Sequence, residues 1–255
     1  MRWCLSTFGV EVKGDQPVTR QGLRWLLNPE DYPHYNLYWF GAYNKWEVWH
    51  LEQASPPDGT FFDIGANYGY YSLMLASHLG PRFTVHAFEP NPPTMARLRH
   101  HCEINGLEKR IHCHSLGLSD HAGQAGLTLR GDNSGAAFLS EGQGIQLSTL
   151  DLFCRERKIN RIDSMKIDVE GAEEKLLRGG MESLERFRPA IIIELNPPAL
   201  RRSGASAESV VSILKSLGYE LFELHRETKR PLGTLPDGED YTDAFCIHKS
   251  KLGGA

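Results

Sequence analysis

No stretch of this chain approaches the roughly 18 consecutive apolar residues of a membrane-spanning helix. Its first residues, Met1-Arg2-Trp3-Cys4-Leu5, lack the long apolar core of a signal peptide. The expected location is the cytoplasm. A basic excess is also missing: 28 Lys and Arg stand against 32 Asp and Glu, a formal charge of −4. That balance argues against nucleic acid as a partner, because a phosphate backbone selects a basic face. The five cysteines (Cys4, Cys102, Cys113, Cys154, Cys246) are odd in number and form no Cys-x-x-Cys. They are read as reduced thiols rather than as a disulfide framework or a zinc site. His112 and His114 would share one face of a strand with Cys113 on the other, a structural arrangement rather than a ligand set. The run Arg97-Leu98-Arg99-His100-His101 reads as a solvated helix face. No repeat, low-complexity tract or separate linker is present.

What is present from residue 60 onward is alternation. Strands are expected at Thr60–Ile64, Thr84–Phe88, Ile111–Leu118, Ser164–Val169, Ala190–Leu195, Tyr219–Leu224 and Ala244–His248. Helices are expected at Tyr70–Leu79, Pro92–Asn105, Leu150–Lys158, Ala172–Phe187 and Ala205–Leu217. The helix at 172–187 would carry Leu176, Leu177, Met181 and Leu184 on its apolar face. Residues 120–148 read as a hairpin-like insertion with strand pieces at Gly126–Leu129, Ala136–Leu139 and Ile145–Leu147. This pattern implies a doubly wound, Rossmann-like α/β sheet. The last two strands, linked by the non-helical residues 226–243, would pair antiparallel at its edge. Residues 1–59 do not share the rhythm and are rich in aromatics, from Trp3 and Trp25 to Trp46 and Trp49. They are read as a cap on the substrate side of a domain spanning 60–250, with burial the expected fate of most of those rings. Residues 251–255 would be a frayed tail.

Two apolar runs stop at an acid and a glycine: Asp63-Ile64-Gly65-Ala66-Asn67-Tyr68-Gly69 and Lys166-Ile167-Asp168-Val169-Glu170-Gly171. In an open α/β sheet such strand ends receive ligands. The first predicts a turn into a helix where a ligand meets bare backbone amides. Its spacing is not the Gly-x-Gly-x-x-Gly of dinucleotide folds, because Asn67 stands where a pyrophosphate favours glycine. Glu89 at the next strand end can accept hydrogen bonds from ribose hydroxyls, and Asp63 can order the turn and hold an ammonium group. A ligand with a ribose, an ammonium and no pyrophosphate fits S-adenosylmethionine better than NAD.

The blocks Asp63–Tyr71, Phe88-Glu89-Pro90 and Lys166–Glu173 resemble the signature of the FkbM family of class I S-adenosylmethionine-dependent methyltransferases, over about residues 60–196. The resemblance implies a seven-stranded sheet whose last strand is inserted antiparallel. It also implies cofactor contacts from Asp63, Gly65, Asn67 and Gly69 on the methionine side, with Ala66 and Pro90 in the same blocks. Glu89 would hold the ribose, Ser119 and Asp120 would meet the adenine, and Asp168 would stand beside the methyl donor. The family methylates hydroxyls or acids of sugars and natural products, so the expected partner is a small-molecule or glycosidic acceptor.

An acceptor hydroxyl needs a base. Asp168 is the leading candidate, followed by Glu170 and by Glu194 on the next strand. Lys166 shares the Asp168 face and can hold a carboxylate ionised or orient substrate. Glu170 can equally be a structural charge at the start of the next helix. Asp168, Glu194 and Asn196 can alternatively bind Mg²⁺. Other readings left open are an NAD(P)-dependent or nucleotide-sugar oxidoreductase, an N- or carboxyl-methyltransferase, and a non-catalytic cofactor-binding protein.

Overall fold

A computed structural model of the chain describes residues 12–128 and 137–252. The described chain opens with a hairpin of β1 (Gln16–Arg20) and β2 (Leu23–Leu27), then helices α1 (Tyr32–Phe40) and α2 (Lys45–Ala54). Alternation follows with β3 (Thr60–Ile64), α3 (Tyr70–His78), β4 (Thr84–Phe88), α4 (Pro92–Ile104) and β5 (Ile111–His114). A three-stranded side sheet is built from β6 (Gly117–Leu118), β7 (Gly123–Thr128) and β8 (Phe138–Ser148). Next come α5 (Leu150–Glu156), β9 (Ser164–Ile167), α6 (Glu173–Arg178), α7 (Met181–Phe187) and β10 (Ala190–Leu195). The chain ends with α8 (Pro197–Arg202), α9 (Ala207–Ser216), β11 (Tyr219–His225), β12 (Thr228–Pro231) and β13 (Thr242–His248). Among the described residues, no helix is long and apolar enough to cross a membrane.

The main sheet has the order β12-β11-β13-β10-β9-β3-β4-β5. Strands β5, β4, β3, β9 and β10 run parallel, as short right-handed crossovers require. The last strand, β13, is inserted antiparallel between β10 and β11. The sheet holds eight strands rather than seven, because the link at 226–243 contributes β12 as an antiparallel edge beside β11. Each central strand feeds both faces, as a period of two dictates. Phe61, Val85, Ala87 and Ile192 join one core cluster, while Phe62, Ile64, Met165, Ile167 and Ile193 join the other.

The aromatic N-terminal segment is part of the first of these clusters. Helix α2 packs on β9, β10 and β11 and beside α3, while β2 packs on α4. Of its aromatics, Trp25 is buried, but Tyr35, Tyr38, Trp39, Tyr43, Trp46 and Trp49 are only half-buried, and Tyr32 and Phe40 are exposed. Burial is therefore not the fate of most, because helix α1 lies at the surface with one face outward. Trp3 and Cys4 lie outside the described residues. Cys102, Cys113, Cys154 and Cys246 are free thiols.

Several expected elements are corrected. His101 is not on a solvated face: it is fully buried, its Nδ1 2.8 Å from the Tyr68 carbonyl oxygen and its Nε2 accepting from the Leu26 N–H at 3.0 Å. It ties β2 to the turn after β3, while His100 remains exposed. The run at 111–118 divides between two sheets, its first part pairing with β4 and its second with β8. Asn196-Pro197-Pro198 does not merely end β10; Asn196 caps α8 by accepting from the Ala199 N–H at 3.2 Å, and proline suits the first helical turn. The insertion strands at Gly126–Leu129 and Ala136–Leu139 fall partly outside the described residues, as does the tail at 253–255; β8 itself is far longer than the short pieces expected.

The single helix expected at 172–187 is two, separated by Gly179 and Gly180. A Cβ on Gly179 would stand 2.0 Å from the Ser119 carbonyl oxygen, and one on Gly180 would stand 2.7 Å from Leu150. The close approach of the 117–120 strand end forces the break, and Met181 is left partly exposed beyond it. Gly179→Ala is expected to cost about 1–3 kcal/mol through overpacking. The urea unfolding midpoint reads this directly, and an unchanged midpoint would remove that contact as the cause of the break.

Candidate active site

A cleft of about 460 Å³ opens at the carboxyl ends of β3, β4, β9 and β10, the rim where such sheets receive ligands. One wall is the turn Ile64–Tyr68 with Glu89 and Pro90; the other is Asp168, Val169 and Glu170 with Glu194 and Asn196. The N-terminal segment contributes Tyr32, Tyr43 and Asn44, the side sheet Leu127 and Leu139, and the start of β13 Tyr241 and Asp243.

Four amides of the turn after β3 are engaged within the protein. Gly65 and Ala66 both donate to the Phe88 carbonyl oxygen (3.0 and 2.9 Å), Asn67 donates to Glu89 Oε2 (3.0 Å), and Gly69 to the Ala66 carbonyl oxygen (2.9 Å). Closing the turn against β4 consumes them. Glycine is required at 65 because φ is +83° and a Cβ would lie 1.7 Å from the Asp168 carbonyl oxygen. This turn therefore brings two strand ends together, and the Gly65, Ala66 and Asn67 amides are not left to cradle a pyrophosphate. The Asn67 side-chain oxygen is buried beside the cleft with no partner in the protein.

Asp63 lies behind the turn rather than on the cleft wall. Its Oδ2 accepts from the Ser72 N–H (3.0 Å) and hydroxyl (2.6 Å), fixing the first turns of α3, and burial raises its pKa to about 6. Glu89 is buried at the end of β4, and each of its oxygens accepts one backbone N–H, from Asn67 and from Asn91 (2.8 Å). A carboxylate oxygen accepts two hydrogen bonds, so each keeps one lone pair for a ligand hydroxyl. Burial pushes the Glu89 pKa up to about 7. Ser119 and Asp120 stand outside the cleft lining, paired with each other and with His121, while Leu116, Gly117 and Leu118 take the place on its wall.

Beyond β9 the backbone bends sharply, with φ +53° at Glu170 and +107° at Gly171. This brings Glu170 into the cleft wall beside Asp168, with Arg202 3.8 Å from its carboxylate. The backbone of the bend itself is held by a second acid, Glu173. Fully buried, Glu173 Oε1 accepts from the N–H groups of Val169 (3.1 Å) and Gly171 (3.2 Å), and burial raises its pKa to about 7.

Lys166 is buried under α2 and α3 and held in an acidic ring. Its Nζ is 2.6 Å from Asp243, 3.6 Å from Asp168 and 4.0 Å from Glu47. Burial works against its charge, yet Asp243, Asp168 and Glu47 together raise its pKa well above the usual lysine value. Burial raises the half-buried Asp168, with Lys166 opposing. Glu47 is pushed up to about 8 and Glu194 to about 10, first by burial and then by neighbouring carboxylates. The Tyr71 hydroxyl donates to Glu47 at 2.5 Å and accepts from Asn44 at 2.9 Å. Sequence reasoning missed Asp243 and the role of Glu47, on β13 and α2, and it placed Tyr71 beside the cofactor turn without its link to Glu47. The only signal was polarity at positions otherwise flanked by apolar core.

The Mg²⁺ reading does not fit these donors. Among the described residues, no group of three His, Cys, Asp or Glu side chains is arranged to hold a metal. Asn196 spends its side-chain oxygen on α8, and the Lys166 ammonium supplies the positive charge among the acids.

Glu173 offers a clean test of these energetics. Its folded pKa of about 7 exceeds the ordinary 4.5, so between those values the folded state binds the extra proton and its advantage fades as pH rises. Half-buried histidines such as His86 and His114, lowered to about 3 and about 4 chiefly by desolvation, push total stability the other way. The difference between variants isolates the acid. Glu173→Gln is expected to gain stability over the parent as pH rises from 4.5 to 8, by as much as about 3 kcal/mol. Urea unfolding at a series of pH values measures it; a pH-independent difference would mean that Glu173 keeps an ordinary pKa.

The Methyltransferase FkbM domain model matches residues 63–221. The 2-O-methyltransferase NoeI of Sinorhizobium fredii is 28% identical over 181 residues, covering 63% of this chain and 72% of NoeI. The 31-O-demethyl-FK506 methyltransferase FkbM of Streptomyces tacrolimicus is 31% identical over 159 residues, covering 48% and 60%. The chain spans as little as 11% of one curated relative. A solved structure described as a putative rRNA-methylase from Clostridium thermocellum shares the fold, with a TM-score of 0.52 at 11% identity over 79% of this chain and 92% of that one. The domain match runs from the first acid-ended strand to β11, more than half of the sequence, and the chain belongs to the FkbM methyltransferase family.

Proposed function

We propose that this chain is an S-adenosylmethionine-dependent methyltransferase that transfers a methyl group to a hydroxyl of a small-molecule or glycosidic acceptor, with Asp168 as the base. The observation that carries the reading is the pairing of a turn whose Gly65, Ala66 and Asn67 amides are engaged within the protein with a buried Glu89 that keeps two free acceptor positions, both facing Asp168 across one cleft. That combination favours a ribose-bearing ligand without a pyrophosphate. The hydroxyl acceptor is favoured by the printed names of the two relatives, a 2-O- and a 31-O-directed enzyme.

When bound, S-adenosylmethionine supplies an already electrophilic methyl carbon. The protein's share is alignment, exclusion of water and removal of one proton. Glu89 would accept from the ribose hydroxyls, and the unpartnered Asn67 oxygen would accept from the ligand's polar end. Leu118, Leu127 and Leu139 provide an apolar wall suited to a flat base. Asp168, raised from its ordinary value by burial, is a stronger base than a solvated aspartate and would take the acceptor proton as the new bond forms. Tyr32 and Tyr241 at the mouth offer flat faces to an acceptor ring.

Calorimetric titration tests the cofactor: S-adenosylhomocysteine should bind and NADH should not, and tight NADH binding without a response to S-adenosylhomocysteine would overturn the assignment. Glu89→Ala is expected to weaken S-adenosylhomocysteine about 10- to 100-fold, the loss of two charge-assisted hydrogen bonds. Asp168→Asn is expected to lower kcat about 10²–10⁴-fold. A kcat within threefold of the parent would remove Asp168 as the base.

A further inference from the structure

We infer that Asp243 is the positioning residue for Asp168: its carboxylate holds the Lys166 ammonium in contact, so that Lys166 does not close onto Asp168 and quench it as a base. The functional importance of this arrangement rests on the proposed role of Asp168. The geometry is unequal. Nζ of Lys166 donates to Asp243 Oδ1 at 2.6 Å, a full charge-assisted hydrogen bond, but stands 3.6 Å from Asp168 Oδ2, beyond hydrogen-bonding range. Lys166 on β9 and Asp168, just beyond the strand's end, are two residues apart and 3.6 Å from each other, so a direct pair is available to them locally. Asp243 prevents it from a strand that is distant in sequence. Because β13 runs antiparallel, its first residues lie at the carboxyl ends of β9 and β10, and Asp243 pairs in register with Glu194. The other side of the ammonium is occupied by the Tyr71 ring, 5.6 Å from Nζ to its centroid, and by Glu47.

The groups around Asp168 act in a common direction apart from one. Asp243 on β13 and Glu194 on β10 stand beside it, as do Glu47 and Tyr43 from the N-terminal segment. Asp63, Glu89 and Glu173 surround its strand end, and Glu170, beside Arg202, follows it along the cleft wall. Lys166 alone favours the ionised form at short range. Burial is the largest influence on the proton affinity of Asp168, and how the Lys166 charge is divided between the two aspartates adjusts it from there. Removing Asp243 deletes a like charge and releases Lys166 toward Asp168, and both changes strengthen the ionised form and weaken the base.

The test follows the Asp168 carboxyl carbon by ¹³C NMR in the full ligand-free chain carrying labelled aspartate, with the resonance assigned by its loss in Asp168→Asn. In Asp243→Asn the Asp168 titration midpoint should move down in pH, and in Lys166→Met it should move up. A midpoint that stays or rises in Asp243→Asn, or stays in Lys166→Met, overturns the inference. A merely structural role for Asp243 would not produce opposite shifts in the two variants, and Lys166→Met still decides the matter if Asp243→Asn does not fold. The readout needs no acceptor. If Asp168→Asn retained methyl transfer while these shifts appeared, the base assignment would fail and the hold of Asp243 on Lys166 would stand.

Discussion

The ammonium of Lys166 is the charge around which this site is arranged. An isolated lysine at this depth would give up its proton, because taking a charge out of water costs several kcal/mol. Here Asp243, Asp168 and Glu47 lie within 4.0 Å and reverse the outcome. The same enclosure raises Glu47 and Glu194, so the ring is stable with some of its acids protonated rather than with every carboxylate ionised. A buried cation thus allows carboxylates to gather at one strand end without a metal-ligating geometry. It also ties the site to the fold, since each partner arrives on a different element.

Those elements converge for topological reasons. Strand β9 supplies Lys166, and the bend that follows supplies Asp168 and Glu170. Helix α2, packed on the sheet, supplies Glu47, and α3, opened by the turn after β3, supplies Tyr71. Parallel strands present only their carboxyl ends at the functional rim. The antiparallel β13 presents its beginning there, which places Tyr241 and Asp243 in the cleft wall. The N-terminal segment likewise does more than shield the domain: Trp25 lies edge-on to Tyr68, and His101 joins Leu26 to Tyr68. The ligand-facing turn is braced by residues far from it in sequence.

The parallel core was legible because its signals are local. Apolar runs ending in Asp63, Glu89 and Asp168 mark strand ends irrespective of context, and the class of fold followed from their alternation with helices. Less legible was whatever depended on a neighbour. The break at Gly179 exists because the Ser119 carbonyl approaches it, and nothing within residues 172–187 records that approach. His101 sits among arginines in sequence yet faces inward, since a helix turns a single position by about 100° relative to the next. The same limit applied to the site. The acids at strand ends were readable, whereas Asp243 and the place of Tyr71 beside Lys166 became visible only when β13 and α3 were laid beside β9.

With the Gly65, Ala66, Asn67 and Gly69 amides engaged within the protein, the side chains of the cleft carry much of its recognition chemistry. Glu89, Asp168, Glu170, Glu194 and Asp243 line it, and none of the described lining residues is a lysine, arginine or histidine. Lys166 lies behind that lining, already engaged. Such a wall repels a pyrophosphate, which carries its charge on exposed oxygens, and it suits a ligand bearing cationic centres and hydroxyl donors. The sulfonium and ammonium of S-adenosylmethionine have that character, and in the proposed reading its ribose would use the two spare lone pairs of Glu89. The glycine at 65, first read as part of a ligand-binding turn, serves the same end differently: by letting the turn approach the Asp168 carbonyl, it brings Glu89 and the candidate base to opposite sides of one narrow cleft.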